Sequence, residues 1–113
     1  MVSLEDKFKE AIKSHQEKDL KKSEELLTDI LKTEPDHLNT NFFLGLILLQ
    51  KKDFDRAREL FLKVISLNPN NPDSYNNLGI AMKELGQKIK AVTCFKKAIE
   101  LKPDHEMAHN NLG

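Results

Sequence analysis

The sequence predicts an all-α fold, a right-handed α-solenoid built from antiparallel helix pairs. A period of 34 residues separates successive members of two series, the prolines Pro35, Pro69 and Pro103 and the glycines Gly45, Gly79 and Gly113. A fixed period of this length is the sequence sign of a stacked repeat array. Within each repeat, apolar residues recur at spacings of three and four, which indicates helices rather than strands. An array of this kind offers a long curved surface and has no catalytic pocket by default.

The period divides one domain, 1–113, into units 4–37, 38–71 and 72–105, with a partial unit at 106–113. Eight positions of the second unit are in phase with the third: Asn41, Leu44, Gly45, Leu48, Ala57, Phe61, Val64 and Pro69 match Tyr75, Leu78, Gly79, Met82, Ala91, Phe95, Ala98 and Pro103. This pattern resembles the tetratricopeptide repeat (TPR). The resemblance covers nearly the whole chain and implies three TPR units plus the start of a fourth.

The third unit shows the predicted helix pair most clearly. A first helix is expected over 74–85, and Gly86 supplies the turn because glycine readily adopts positive φ. A second helix is expected over 89–101, with these residues facing inward: Ile89, Val92, Phe95, Ala98 and Ile99. Pro103 cannot continue that helix. Gly79 and Ala91 are small enough for the two helices to approach closely.

The first unit departs from the pattern. Lys7, Glu10, Ala11 and Ser14 stand where an aromatic residue, Leu, Gly and a large residue are expected. A terminal unit needs a polar outer face, so this unit is predicted to cap the array. Ser3 with Asp6 three residues later predicts a capping box at the start of the first helix, with Asp in place of the usual Glu. At the other end, the Leu-Gly of a fourth unit closes the sequence, and we expect the chain to be a fragment of a longer protein.

The composition indicates which classes of partner and which cellular location to expect. Eighteen basic and eighteen acidic residues give a net charge of zero, so we expect neither nucleic acid nor an anionic membrane as partner. Cys94 is the single cysteine, which excludes an internal disulfide and is typical of a reducing compartment. It is expected to be buried rather than reactive. The most apolar run, 42–49, is too short to span a bilayer, and a cytoplasmic location is expected.

One short motif suggests a metal site. The stretch His105-Glu106-Met107-Ala108-His109 satisfies H-E-x-x-H, in which two histidines bind zinc and the glutamate is a general base. The repeat accounts for it otherwise, because His105 lies at a unit boundary and His109 occupies the position of Tyr75. We therefore expect no metal, no cofactor and no catalytic residues here.

The TPR resemblance implies that the first helix of each unit lines a concave groove. On that basis the predicted partner-binding residues are Phe8, Ile12, Phe42, Phe43, Leu46, Leu49, Asn76, Asn77, Ile80 and Asn111. The first helix of the second unit is apolar nearly all round, which is compatible with two arrangements. Phe8, Phe42 and Leu46 could interlock between neighbouring helices, or they could form an exposed apolar groove for a peptide or another copy.

The asparagines offer a second indication. Asn77 and Asn111 each directly precede Leu-Gly, one period apart, where an amide can bind the backbone of an extended peptide. A ladder of asparagines at this position is similar to the TPR array of the O-linked N-acetylglucosamine transferase, although Phe43 interrupts it here. A plain consensus role for these asparagines is an equal alternative.

The carboxylate clamp of chaperone-binding TPR domains is not expected. The family's clamp needs Lys, Asn and Arg at positions that hold Phe8, Ile12, Phe43, Asp73 and Asn77 in this chain. The favoured function is a non-catalytic protein–protein interaction module that binds a peptide or partner helix in the groove. The alternative is a structural module that forms homo-oligomers through its open C-terminal end and apolar groove.

A parent enzyme is a further expectation. The segments 11–16 and 68–71 resemble N-terminal TPR segments of bacterial glycosyltransferase-like and sulfotransferase-like proteins. The resemblance implies that a separate catalytic domain belongs to the parent protein, with this part presenting substrate or organising assembly.

Overall fold

The computed structural model describes residues 2–113, which form seven α-helices and no strand. In chain order the helices are α1 Leu4–Gln16, α2 Leu20–Thr33, α3 Leu38–Gln50, α4 Phe54–Leu67, α5 Pro72–Glu84, α6 Lys88–Leu101 and α7 Glu106–Leu112. Each helix packs mainly against its neighbours in sequence, so the helices stack along one direction, with extents of 47 × 24 × 22 Å. The all-α helical repeat predicted from the sequence is confirmed.

The turns inside the three helix pairs share one backbone conformation. Gly86 has φ +80°, as the sequence predicted. Lys18 and Lys52 occupy the equivalent positions in the first two units and have φ 64°. This left-handed region is unfavourable for residues with a Cβ, so two lysines take a conformation that glycine adopts without strain.

Helix ends agree with the sequence to within two residues. Ser3 caps α1, and its Oγ accepts a hydrogen bond of 3.0 Å from the Asp6 amide, which is the Ser3 half of the predicted capping box. Helix α5 begins at Pro72, two residues earlier than predicted. Proline suits the first helical position because it has no amide hydrogen to leave unsatisfied there, and Asn71 supplies the cap.

The core lies between the helices of each pair and depends on matched small and large residues. A Cβ added to Gly79 would lie 2.5 Å from the Phe95 ring, and one added to Gly45 would lie 2.8 Å from the Phe61 ring. Each ring therefore rests directly on a glycine. In the first unit the equivalent buried residues are Ala11 and Leu27. Alanine is larger than the glycine of the later units, and the leucine opposite it is smaller than their phenylalanine.

The prediction that Ile89 and Val92 face inward is wrong. Ile89 is 85% exposed and Val92 is also exposed, whereas Ala91, Phe95 and Ala98 are buried. The buried face of α6 is set by Ala91, Phe95 and Ala98, and a helix turns by about 100° per residue. Ile89 and Val92 are three residues apart, as residues on one helical face are, but that face points away from the core.

Ion pairs link the two helices of the first unit. Glu10 stands where Leu44 and Leu78 are buried in the later units, and its carboxylate pairs with Lys22 at 3.0 Å. Lys7 pairs with Asp29 across α1 and α2. The first unit therefore carries a charged residue, Glu10, at a position that is apolar and buried in the later units.

Candidate functional site

The first helices of successive units lie side by side and form one continuous surface, here called the first-helix surface. It comprises the outward faces of α1, α3, α5 and α7, and three contacts between neighbouring helices define it. The rings of Phe8 and Phe43 have centroids 5.7 Å apart. His15 Nε2 and the Gln50 side-chain oxygen are 2.8 Å apart, and Asn111 Nδ2 donates a hydrogen bond of 2.9 Å to Asn76 Oδ1.

A row of aliphatic side chains runs along this surface. Ile12, Leu46 and Ile80 occupy equivalent positions, 34 residues apart, on α1, α3 and α5. All three are half-buried, and Leu46 and Ile80 pack against the hydrophobic core. Contact with the core therefore fixes Leu46 and Ile80 in the row, while part of each side chain of the row faces solvent.

The predicted aromatic residues form a connected cluster beside this row. Phe8 meets Phe43 edge to face between α1 and α3, and Phe42 lies 6.0 Å from Phe43 by ring centroids. Phe42 also packs edge to face on Phe61, at 5.8 Å. The contact between neighbouring first helices is thus made by Phe43, whereas the sequence had suggested Phe42. These rings and Leu49 remain half-buried, so interlocking leaves part of the apolar surface exposed.

The predicted asparagines are less accessible. Asn76 is 1% exposed and accepts the hydrogen bond from Asn111, which ties the partial fourth unit to the third. Asn77 is buried, and Asn111 is half-buried. The assignment of these three residues to partner binding stays a prediction. Burial weighs against a direct role for the Asn76 side chain, which the spacing alone could not reveal.

Both histidines of the H-E-x-x-H stretch have structural partners. His105 Nδ1 accepts a hydrogen bond of 3.1 Å from the Ala108 amide, and its Nε2 donates to Asp73 Oδ1 at 2.8 Å. His109 Nε2 donates to the Pro103 carbonyl at 2.7 Å. Within residues 2–113, no group of three or more His, Cys, Asp or Glu side chains is placed to hold a metal ion.

Cys94 is half-buried, and burial raises the pKa of its thiol. A raised pKa lowers the fraction of reactive thiolate at neutral pH. None of the helices described in residues 2–113 combines the length and apolar character needed to cross a membrane.

Two family models match the chain. A TPR repeat model matches residues 45–86, and a tetratricopeptide repeat model matches residues 72–105. Together they cover 45–105, which includes the complete third helix pair. No curated protein matches the chain in sequence.

Solved structures share the fold. A MamA structure from Desulfovibrio magneticus RS-1 has a TM-score of 0.94 at 24% identity, covering 97% of this chain and 62% of that one. The O-GlcNAc transferase of Thermobaculum terrenum has a TM-score of 0.87 at 26% identity, covering 96% of this chain and 21% of that one. The TPR domain of Arabidopsis OM64 has a TM-score of 0.91 at 19% identity, covering 96% and 90%.

This chain spans 62% of the MamA structure and 21% of the transferase structure. Repeats of this kind are protein-interaction modules, since stacked helix pairs present an extended surface. The in-phase residues, the helix pairs and both matching family models lead to one conclusion: the chain belongs to the tetratricopeptide repeat family.

Proposed function

We propose that this chain is a non-catalytic module that binds a peptide segment or a partner helix along the first-helix surface. The observation that carries the proposal is the row of Ile12, Leu46 and Ile80, which are equivalent, half-buried and aligned on consecutive first helices. Removing such apolar surface from water contributes about 25 cal/mol for each Å² buried. A ligand that covers the row would therefore gain affinity at three successive units.

The surroundings of the row fit a peptide ligand. Phe8 and Phe43 are held against each other and against the core, so little side-chain freedom is lost when a ligand covers them. Exposed polar residues flank the apolar row, namely Asn39 and Gln50 on α3 and Lys83 on α5. An apolar centre with a polar rim is the usual arrangement of a protein interface.

The chemistry of the ligand follows from the same side chains. Apolar residues Phe8, Ile12 and Phe43 occupy the positions where a carboxylate clamp would place Lys and Asn. An apolar segment therefore fits this surface better than an acidic C-terminal tail does. Asn77 and Asn111 are the remaining candidates for contact with a ligand backbone, through whatever part of each amide is accessible.

A displayed library of random peptides, selected on the whole chain, supplies a ligand for the test. Amide chemical shifts of the chain are then followed by NMR as the selected peptide is added. The proposal expects the largest shifts in α1, α3 and α5 around Ile12, Leu46 and Ile80. Shifts confined to α2, α4 and α6 would refute it, and this reading does not depend on a variant that folds poorly.

Substitution provides the quantitative arm. Leu46→Ser should weaken peptide binding by about tenfold or more, which corresponds to about 1.4 kcal/mol of lost apolar contact. Leu62→Ser is the matched control, because Leu62 is an exposed leucine on α4, away from the first-helix surface. Equal binding by the two variants would contradict the proposal.

Self-association is the second candidate. Met107 on α7 is 59% exposed, and an exposed large apolar side chain favours contact with another copy. Light scattering over a range of concentrations tests it, with Met107→Ser as the variant. A monomer at the highest concentration would exclude this candidate.

Two broader proposals rest on less specific support. The likeness to the repeat region of the Thermobaculum terrenum O-GlcNAc transferase supports a parent protein with a separate catalytic domain. The single cysteine supports a reducing, cytoplasmic location. Sequencing of the full reading frame and fractionation of cells test these two proposals, respectively.

A further inference from the structure

The outward face of α6 carries an apolar and basic surface that the peptide-binding proposal does not use. Ile89, Val92, Thr93 and Lys96 lie at i, i+3, i+4 and i+7, and together with Lys88 they line one shallow depression. We call these five residues the α6 outer stripe. Ile89 is the most exposed large apolar side chain in residues 2–113, at 85%.

Comparison with the other units shows that this stripe is unusual within the chain. The positions equivalent to Ile89, Val92 and Thr93 hold charged residues in both earlier units: Lys21, Glu24 and Glu25, then Asp55, Arg58 and Glu59. Those side chains include both signs of charge and suit contact with water. The third unit replaces them with two β-branched apolar residues and a threonine.

The exposure of Ile89 does not depend on how many units follow. In the second unit, Asp55 and Glu59 are exposed although α5 and α6 pack after them. The next unit therefore leaves the positions equivalent to Ile89 and Thr93 exposed, whereas Arg58, at the position of Val92, is half-buried. By the same geometry, a complete fourth unit would leave Ile89 in solvent.

The charged residues in the α6 segment that carries the stripe have a single sign. Lys88, Lys90, Lys96 and Lys97 lie between Gly86 and Ile99, and that segment contains no acidic residue, although the whole chain is neutral. Within residues 2–113, Lys88, Lys90 and Lys96 form no ion pair, while Lys97 pairs with Glu100. The stripe is thus locally positive with apolar groups at its centre.

The start of α6 adds to this preference for negative charge. Asp19 and Asp53 cap α2 and α4 through hydrogen bonds to the Lys22 and Arg56 amides. Gln87 stands at the equivalent position of α6 and makes no side-chain cap hydrogen bond. The first turn of α6 also has no acidic residue, so the positive end of its helix dipole is not compensated locally.

We propose that the α6 outer stripe docks an acidic, amphipathic segment of a partner protein. Ile89 and Val92 would contact apolar side chains of that segment, and its carboxylates would face Lys88 and Lys96. These lysines are eight residues apart, about 12 Å along the helix. The complementary spacing is two acidic residues separated by about two helical turns, with apolar residues between them.

A membrane surface is a poorer match for the same residues. A helix that lies in a bilayer interface buries one apolar face and keeps its basic residues on the other. Here Lys96 belongs to the stripe itself, one turn beyond Val92, so inserting the stripe into lipid would carry a lysine with it. A protein segment can instead place a carboxylate opposite that lysine.

Two displayed peptide libraries test the proposal on the whole chain. Both are helical peptides with randomised apolar positions between two fixed residues eight apart, glutamate in one library and lysine in the other. The glutamate library is expected to be enriched and the lysine library is not. Equal enrichment, or none, would overturn the proposal.

Variants then locate the site of the selected glutamate peptide. Ile89→Ser and the charge reversal Lys96→Glu should each weaken its binding by about tenfold, and neither should change the melting temperature because both side chains are exposed. Leu46→Ser on the first-helix surface is the matched control and should bind it like the parent chain. Equal weakening by Leu46→Ser would assign the peptide to that surface and overturn the α6 site. If peptide binding along the first-helix surface is refuted, the outcomes expected for the α6 outer stripe stay the same.

Vesicles of phosphatidylcholine with phosphatidylserine provide the last arm. If the chain co-sediments with the vesicles, Ile89→Ser abolishes this co-sedimentation and neither peptide library is enriched, then the ligand is a lipid surface and a protein partner is refuted. Enrichment of the glutamate library without vesicle binding supports the proposal.

Discussion

The Tyr75 hydroxyl donates a hydrogen bond of 2.9 Å to the carbonyl of Pro69, six residues earlier, at the junction between the second and third units. The same bond occurs at the other junctions with different donors: Asn41 Nδ2 to the Pro35 carbonyl at 3.0 Å and His109 Nε2 to the Pro103 carbonyl at 2.7 Å. Because proline cannot continue the preceding helix, its carbonyl lies in the turn and needs a partner from the next helix. The position six residues after each proline therefore requires a side chain that can donate a hydrogen bond and is long enough to meet the proline carbonyl.

Tyr75→Phe should lower the free energy of unfolding by about 1 kcal/mol, since it removes this bond and keeps the ring. Urea unfolding followed by circular dichroism measures the change. Hydrogen exchange at the junction should also become faster, so the amides of residues 73–75 should lose protection. A variant as stable as the parent would show that solvent satisfies the Pro69 carbonyl equally well.

His105 and His109 allow a direct test of the metal alternative. Their nitrogens contact Ala108, Asp73 and Pro103, so zinc would have to displace these hydrogen bonds. We expect added zinc to leave the melting temperature unchanged and the purified chain to contain no stoichiometric zinc. His105→Ala should instead destabilise the chain by about 1 kcal/mol through loss of the helix cap. A rise in melting temperature with zinc that His109→Ala abolishes would contradict this expectation.

The pair of Lys7 and Asp29 gives the first unit a dependence on pH. The hydrogen bond from Lys7, followed by its charge, holds the pKa of the Asp29 carboxyl below its ordinary value of 3.8. A carboxyl with a lowered pKa in the folded state stabilises that state above its unfolded pKa and loses the effect as pH falls through the folded value. Lys7→Met should therefore unfold more easily than the parent at neutral pH.

The difference between Lys7→Met and the parent should shrink as pH falls below 3.8. Urea titrations at a series of pH values measure it. Lys9→Met is the matched control, because the partner of Lys9 is the exposed Glu5 at 3.7 Å. A difference that stays constant across this pH range would mean that Lys7 acts through packing rather than through Asp29.

Lys52 occupies a backbone conformation that glycine takes in the third unit. Its φ of 64° destabilises the folded state by about 1–2 kcal/mol for a residue with a Cβ. A glycine would remove this strain, but its greater flexibility in the unfolded chain would offset about 0.5–1 kcal/mol of the gain. Lys52→Gly should therefore stabilise the chain by about 0.5–1 kcal/mol. Gly86→Lys should destabilise it by a similar amount. Thermal unfolding of the two variants is the measurement, and the same sign of change in both would refute the argument.

Sequence periodicity predicts those parts of the molecule that repeat. The buried residues Ala57, Phe61, Ala91 and Phe95 follow from the period because each packs in the same environment in every unit. The exposure of Ile89 does not follow from the period, since spacing identifies a helical face but not which side of the helix is covered. The charged, exposed residues at the equivalent positions of the earlier units, such as Asp55 and Glu59, show that this face is outward.

The candidate site was predictable to a smaller extent. The equivalent positions of Ile12, Leu46 and Ile80 place them on one surface once the units are aligned. The hydrogen bond between Asn76 and Asn111 could not be predicted, because Asn111 lies 35 residues later and reaches back across a unit boundary. Contacts between units depend on how closely the helices approach, and the pattern within one unit does not determine that distance.

The matched pairs of small and large residues lead to a test of how the units tolerate change. Gly79→Ala should destabilise the chain by about 1–3 kcal/mol, since its Cβ would lie 2.5 Å from the Phe95 ring. Phe95→Leu alone should also destabilise it, through the space left by the ring. The double variant reproduces the pair of Ala11 and Leu27 that the first unit already buries. Its destabilisation should therefore be smaller than the sum of the two single changes, with a coupling energy of about 0.5–3 kcal/mol. Additive effects in urea unfolding would show that Ala11 and Leu27 are accommodated by features specific to the first unit instead.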